Sequence, residues 1–270
     1  MKTIKFTKTV ATSNDFIVID SRRPVVGSRL PAFAKMICDR KHSVGADGLI
    51  ILERSRKADF RMRIFNPDGS EAEMCGNGSR CIALFAATKH IAPKQMTIET
   101  AAGILNATVA KDIVKVKLTD PKDIRWDFCL TINRCPYRVS FMNTGVPHIV
   151  YFVDDLDKVD VKKLGSEIRY HSRFSPEGAN ADFVKILGRD RIKIRTYERG
   201  VEDETLACGT GAVASALISA KANKMPSPMV VETQGGEKLK VYFELTKGTF
   251  RDVYLEGKAS LVFDGTISRI

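Results

Sequence analysis

The chain has 270 residues, 44% hydrophobic and 28% charged, with a formal net charge of +11; that fits two globular domains of average size, each able to bury a core. No apolar run approaches the roughly 20 residues of a membrane span, and the opening MKTIKFTKTVATSNDF lacks the about 7–15 apolar residues at the centre of a secretory signal, so a cytoplasmic protein with no membrane partner is expected. The lysines and arginines are scattered, with no arginine-rich tail and no aromatic–basic pattern, and read as a solvated basic surface with no nucleic-acid partner.

In chain order, a helix is predicted over Leu30–Arg40, where Leu30, Phe33, Ala34 and Ile37 share one face and Ser28 with Pro31 forms the start. Strands follow at Leu49–Leu52 and Phe60–Phe65, the second alternating at period two. A glycine-rich turn then leads through Cys75 into a helix starting near Gly76, before strands at Ile104–Ala110 and Ile113–Leu118. The crossing between halves is expected near TDPKDIRWD. Beyond it come strands at Tyr137–Phe141 and His148–Val153, a helix over Val161–Tyr170, and strands at Asp182–Ile186 and Arg191–Tyr197. A second glycine-rich turn passes through Cys208 into a helix near Gly209, followed by strands at Leu239–Leu245 and Arg251–Glu256.

The two turns belong to an internal repeat. Residues 71–103 shifted by 133 match residues 204–236 at 12 of 33 positions, among them Cys75/Cys208, Gly76/Gly209 and Gly78/Gly211. Asn77–Thr88 has Arg80 as its only charge and Thr210–Ala220 has none; a helix apolar on nearly every side must be surrounded. The expected architecture is therefore α/β (α+β), with two pseudo-symmetric domains, each a curved mixed sheet around a central helix, and the active site in the inter-domain cleft. The first domain spans residues 1–123, joined by a C-terminal strand over 262–270, and the second spans 124–261.

Cysteine at a helix N-terminus lies among unpaired N–H groups at the positive end of the macrodipole, which lowers a thiol pKa from about 8.5. Those amides can also hold a carboxylate. Two such turns around one amino acid allow one thiolate to remove the α-proton while the other thiol protonates the opposite face, inverting the centre without a cofactor. Two helix-start turns with incidental cysteines, or a redox pair, are the other readings; Cys-x-x-Cys is absent. The remaining Cys38, Cys81, Cys129 and Cys135 are expected to be small buried or half-buried apolar residues. The spacing of Cys75/Cys81 and Cys129/Cys135, with no clustered histidines, gives no metal site.

At NDFIVID (14–20), GADGLI (45–50), RIFNPDGSEAEMCGNGSRC (63–81), PHIV (147–150), PEGANADF (176–183) and YERGVEDETLACGTGA (197–212) the chain closely resembles the diaminopimelate epimerase family. The resemblance implies interconversion of L,L- and meso-diaminopimelate, in lysine and peptidoglycan precursor biosynthesis, with no pyridoxal phosphate or other cofactor. It implies Cys75 and Cys208 as the acid/base pair, His148 assisting the first and Glu198 near the second. Gly76, Asn77, Gly209 and Thr210 would hold the reacting end of the substrate, and Asn14, Asn66, Asn180 and Arg199 would contact it, Arg199 pairing with the distal carboxylate. A homodimer is left open.

Departures stand at Val146, where many members have asparagine, at Gly48, where some have glutamine, and at Thr12 and Ser13, which replace a glycine-rich approach to Asn14. Val146 keeps a broader amino-acid racemase open, with Thr144 or Asn143 able to compensate. A proline racemase, which typically has histidine after the first Cys-Gly, fits less well with Asn77 there, and a non-catalytic binding protein fits less well with both cysteines retained.

Overall fold

The computed structural model describes residues 3–23 and 29–268; the expected cap at Ser28 lies outside them. The chain divides into two compact units, Met1–Lys117 with Gly257–Ile270, and Leu118–Glu256. Both are mixed α/β. Among the described residues no helix is long and apolar enough to cross a membrane.

The first unit contains β1 (Thr3–Ala11), β2 (Asn14–Asp20), α1 (Leu30–Ile37), β3 (Gly48–Glu53), β4 (Phe60–Phe65), the short β5 (Glu71–Ala72), α2 (Gly76–Thr88), β6 (Gln95–Thr100), β7 (Gly103–Ala110) and β8 (Ile113–Lys117). The C-terminal strand Ser260–Ser268 pairs antiparallel with β1. From β1 the ladder runs to β2 antiparallel, to β3 parallel, to β4 antiparallel, to β6 parallel, then antiparallel to β7 and β8.

The second unit holds β9 (Lys122–Ile132), β10 (Cys135–Asn143), β11 (Pro147–Phe152), α3 (Val161–Arg169), β12 (Asn180–Ile186), β13 (Arg191–Glu198), β14 (Asp203–Thr205), α4 (Gly209–Asn223), β15 (Met229–Glu232), β16 (Lys238–Thr246) and β17 (Thr249–Lys258). Its ladder from β9 through β10, β11, β12, β13, β15, β16 and β17 repeats the same sequence of parallel and antiparallel pairings. The duplication thus extends to strand order. Ser260–Ser268 takes in the first unit the place of β9 in the second.

Each sheet has two covered faces, which explains the near-continuous apolar run GLIILE of β3. Leu49 and Ile51 pack with Ile17, Ile19, Leu30, Ala34 and Ile37 beneath α1. The alternate residues turn toward α2, which touches β1, β2, β3, β4, β7, β8 and Ser260–Ser268. A helix that touches both ends of its own ladder is wrapped by it, so α2 is buried from Asn77 through Ala86. In the second unit α4 contacts β10, β11, β12, β13, β15 and β16 and is buried from Gly211 through Ala220, while α3 covers the other face with Val161 and Ile168 in the core.

Three local expectations are corrected. Helix α1 ends at Ile37 rather than Arg40 because the returning loop takes its last carbonyls, Gly45 N–H donating to Ile37 (2.9 Å) and Ala46 N–H to Cys38 (3.1 Å), while Asp39 accepts from the Lys41 and His42 amides in a tight turn. The boundary between the units, Lys117/Leu118, lies beside TDPKDIRWD, where the crossing is expected, and strand β9 begins within that stretch at Lys122. Cys129 and Cys135 are exposed; β9 turns Leu130 and Ile132 inward, which sends Cys129 outward, and Cys135 sits at the hairpin mouth opposite Ile132. The β1–β2 hairpin had no predicted strands, and its two-residue turn puts Thr12 and Ser13 at φ 51° and 63°, a conformation that usually calls for Asn or Gly.

Candidate active site

In the first unit the short β5 pairs with β4 and delivers the chain to Cys75 in extended conformation, φ −144° and ψ 122°. Cys75 is the N-cap of α2. Its carbonyl accepts the Ser79 N–H at 2.8 Å and its sulfur accepts the Gly78 N–H at 3.4 Å. Asn77, one position into the helix, donates its side-chain amide to Asn14 Oδ1 and accepts from Arg80 Nη2.

Arg80 is fully buried, which explains the single charge in an otherwise apolar helix. Its Nη2 also donates to Thr12 Oγ1, so one guanidinium braces both the strained turn and Asn77. Asn14 in turn donates to Asp47 at 3.2 Å. Arg40 clamps Asp15 and Asp47, at 2.6 and 2.7 Å. Burial alone would raise the Asp15 carboxyl, but hydrogen bonds from Arg40 and Lys8 hold it well below the usual carboxylate range. Asn66 lies exposed after β4, donating to Ser70 Oγ at 2.9 Å.

In the second unit β14 pairs with β13 and leads to Cys208, the N-cap of α4, at φ −124° and ψ 114°. Cys208 Sγ lies 3.4 Å from Thr210 Oγ1, and Thr210 Oγ1 lies 3.0 Å from His148 Nε2. His148 Nδ1 lies 2.7 Å from Asp182 Oδ2, and Thr196 donates its hydroxyl to Asp182 Oδ1 at 2.7 Å. Thr144 donates to the Thr210 carbonyl at 3.0 Å. Asn180 accepts the Arg199 N–H at 2.7 Å and donates to the Pro147 carbonyl at 3.2 Å. Among the described residues the Arg199 guanidinium donates to the Glu177 carbonyl, at 3.4 Å, and Thr205 donates to Glu198 Oε2 at 3.0 Å.

The resemblance implies His148 as an assistant of Cys75; within the second unit its Nε2 is linked, through Thr210, to Cys208. The helix-end argument also predicts lowered thiol pKa values. For Cys208 the opposite holds: burial, then the charges of Glu198 and Asp182, push the thiol well above its ordinary value, outweighing the Thr210 hydroxyl and the Gly211 amide. Cys38 and Cys81 are raised by burial to about 11 and about 12, as suits inert core thiols. Sequence reasoning missed Asp182, Thr196 and Asp47. Asp182 had one signal, a lone carboxylate inside the apolar run NADFV.

Glu198 carries a pH dependence. Burial raises its carboxyl pKa, and Asp182 adds to that, against the Thr205 hydroxyl. A carboxyl raised in the native state prefers its proton, so its ionisation costs stability; that cost is absent below the ordinary carboxylate range and grows as pH rises through the raised value. Glu198→Gln should therefore stabilise the protein relative to its parent at about pH 8 but not at about pH 4, as read by urea unfolding midpoints.

The family model for diaminopimelate epimerase matches residues 6–123 and 140–262. The chain is 43% identical to the diaminopimelate epimerase of Hydrogenobaculum sp. (strain Y04AAS1), over 97% of this chain and 98% of that one. It is 42% identical to that of Aquifex aeolicus (strain VF5), over 98% of each. Among solved structures it resembles a Bacillus anthracis phenazine biosynthesis protein of the PhzF family, with TM-score 0.76, 18% identity and full coverage of both chains. A hydroxyproline epimerase from Agrobacterium vitis aligns with TM-score 0.70 and 14% identity, over 99% of this chain and 91% of that one. These two share the fold.

Proposed function

The chain belongs to the diaminopimelate epimerase family, and from that membership we propose that it interconverts L,L- and meso-diaminopimelate by proton transfer at one α-carbon between two thiols, Cys75 and Cys208. The observation that carries the reading is the repeated Cys-Gly-x-Gly helix start, each cysteine acting as N-cap of a buried central helix. One sulfur removes the α-proton as thiolate, and the other delivers a proton to the opposite face. The amides of Gly76, Asn77, Gly209 and Thr210 hold the carboxylate and stabilise the charge that develops on it.

Asn14, Asn66 and Asn180 contact the substrate, and Arg199 takes the distal carboxylate. Arg199 supports that role, its guanidinium making among the described residues one long backbone contact, to the Glu177 carbonyl. Removing a charge-assisted pair of this kind costs about 1.5–3 kcal/mol, so Arg199→Ala should raise KM by about 10- to 100-fold with a smaller change in kcat, as read from initial rates. The enzyme so read works in the cytoplasm, without metal, nicotinamide or pyridoxal phosphate, and supplies lysine and peptidoglycan biosynthesis; a homodimer is compatible with it.

A broader amino-acid racemase is supported by Val146, since Thr144 commits its hydroxyl to Thr210 and Asn143 its carbonyl oxygen to Gly145. The experiment is chiral chromatography of reduced protein with L,L-diaminopimelate and, in parallel, a panel of other α-amino acids. Conversion of the first alone supports the epimerase, conversion of several supports the broader racemase, and conversion of none overturns both.

A further inference from the structure

The two helix starts are equivalent in backbone but stand on different floors. Strand registers pair Ile50 with Ile64 in the first unit and Asp182 with Thr196 in the second. Gly78 accordingly faces Ile64 and Ile50, whereas its repeat partner Gly211 faces Asp182 and His148. The first helix start faces aliphatic carbon at Gly78; the second faces a buried polar chain that ends at Cys208.

That chain has a direction. An ionised carboxylate only accepts, so Asp182 takes the Thr196 hydroxyl on Oδ1 and the His148 Nδ1–H on Oδ2. With that proton on Nδ1, Nε2 is the atom left to accept in the neutral ring. Asn180 supports this independently. Its oxygen is fixed by the Arg199 N–H and its amide nitrogen by the Pro147 carbonyl, so the group it turns to His148 Nε2, at 3.4 Å, is a donor. Thr210 therefore spends its hydroxyl proton on Nε2, at 3.0 Å, and can only accept from Cys208.

We infer that Asp182 is a positioning residue that, through His148 and Thr210, orients these hydrogen bonds so that Cys208 rests as the proton donor and Cys75 as the base. The inference rests on the two-thiol reading above. The titratable groups that face Cys208 are Glu198 on β13, Asp182 on β12 and, through Thr210, His148 on β11; both carboxylates favour the protonated thiol. In turnover from this state the Cys75 thiolate takes the α-proton, and the Cys208 S–H gives its proton to the opposite face and becomes the thiolate.

The test is a pH titration by NMR of protein labelled with 13C at the cysteine Cβ, with Cys75→Ser and Cys208→Ser giving the assignments. In the parent protein Cys75 should lose its proton at lower pH than Cys208. Asp182→Asn should reverse the chain, since an amide at 182 donates to Nδ1, moves the imidazole proton to Nε2 and turns the Thr210 hydroxyl toward sulfur. The Cys208 midpoint should then fall by about one pH unit or more while that of Cys75 stays. Loss of the Asp182 charge alone also lowers it, so the substitution is repeated in Thr210→Val, where no hydroxyl can turn toward sulfur and the fall should be clearly smaller; an equal fall in both backgrounds would overturn the positioning role. Asp182→Asn by itself should lose about 100-fold in kcat/KM, equally in both directions because the equilibrium constant is unchanged. Cys208 titrating below Cys75 in the parent, or a Cys208 midpoint unmoved in folded Asp182→Asn, would overturn the inference, and the parent ordering decides even if that variant does not fold. Failure of the two-thiol reading is separate: it would be seen as turnover surviving either cysteine variant.

Discussion

Cys75→Ser and Cys208→Ser should each abolish epimerisation, with kcat lower by at least about 10³-fold while the proteins unfold at nearly the parent's denaturant concentration. A positioned general acid or base contributes about 10²–10⁴-fold, and in a two-base inversion both proton transfers belong to every turnover, so neither loss is rescued by the other thiol. Serine keeps the shape and loses the acidity. Because the two cysteines act as a unit, the double variant should be scarcely worse than either single one. Rates from chiral chromatography, set beside urea midpoints, separate this from misfolding. A single variant retaining a tenth of the parent rate would mean that its cysteine is not an obligatory proton carrier.

Gly211→Ala should be far more damaging than Gly78→Ala at the repeat-equivalent position. A Cβ at Gly211 would lie 2.4 Å from Asp182 Oδ1 and 3.3 Å from His148 Cε1. The carboxylate cannot retreat without giving up Thr196 or His148, since each of its oxygens is already engaged. Overpacking of this kind costs about 1–3 kcal/mol, against a helix-propensity gain of at most about 1 kcal/mol, and it displaces the histidine that orders Thr210. We expect a lower unfolding midpoint and kcat reduced by about 100-fold. At Gly78 a Cβ meets the methyl ends of Ile64 and Ile50, at 3.0 and 3.2 Å, which can rotate aside, and Cys75 Cβ at an ordinary 3.5 Å, so stability should change by less than about 1 kcal/mol. Equal effects at the two glycines would contradict the difference between their floors.

How much of this was legible depended on whether the signal was local. The two Cys-Gly-x-Gly turns, their register and the surrounded helices behind them are short-range features, and they located α2 and α4 directly. Strand β9 carries a local signal too, since Ile124, Trp126, Phe128, Leu130 and Ile132 alternate strictly, although no strand is predicted there. The Thr12–Ser13 turn was hidden because neither residue favours positive φ; what permits it is Arg80, distant in sequence, which looked like an exception in an apolar helix. The chain from Cys208 to Asp182 could not be read locally at all. Its members lie on β11, β12, β13 and α4, and only strand pairing brings them into one line. The repeat even argued against it, because the matching positions in the first half are isoleucines.

Solvent deuterium incorporation tests the central claim most directly. Reduced protein with no added cofactor would be incubated with L,L-diaminopimelate in D2O, and product and remaining substrate examined by NMR at low conversion. Two-thiol inversion predicts meso product carrying deuterium at one α-carbon while the remaining L,L substrate stays almost unlabelled, because the proton removed and the proton delivered belong to different sulfurs. Absence of deuterium in product from folded, reduced protein, or meso product retaining the substrate's own α-proton, would contradict it.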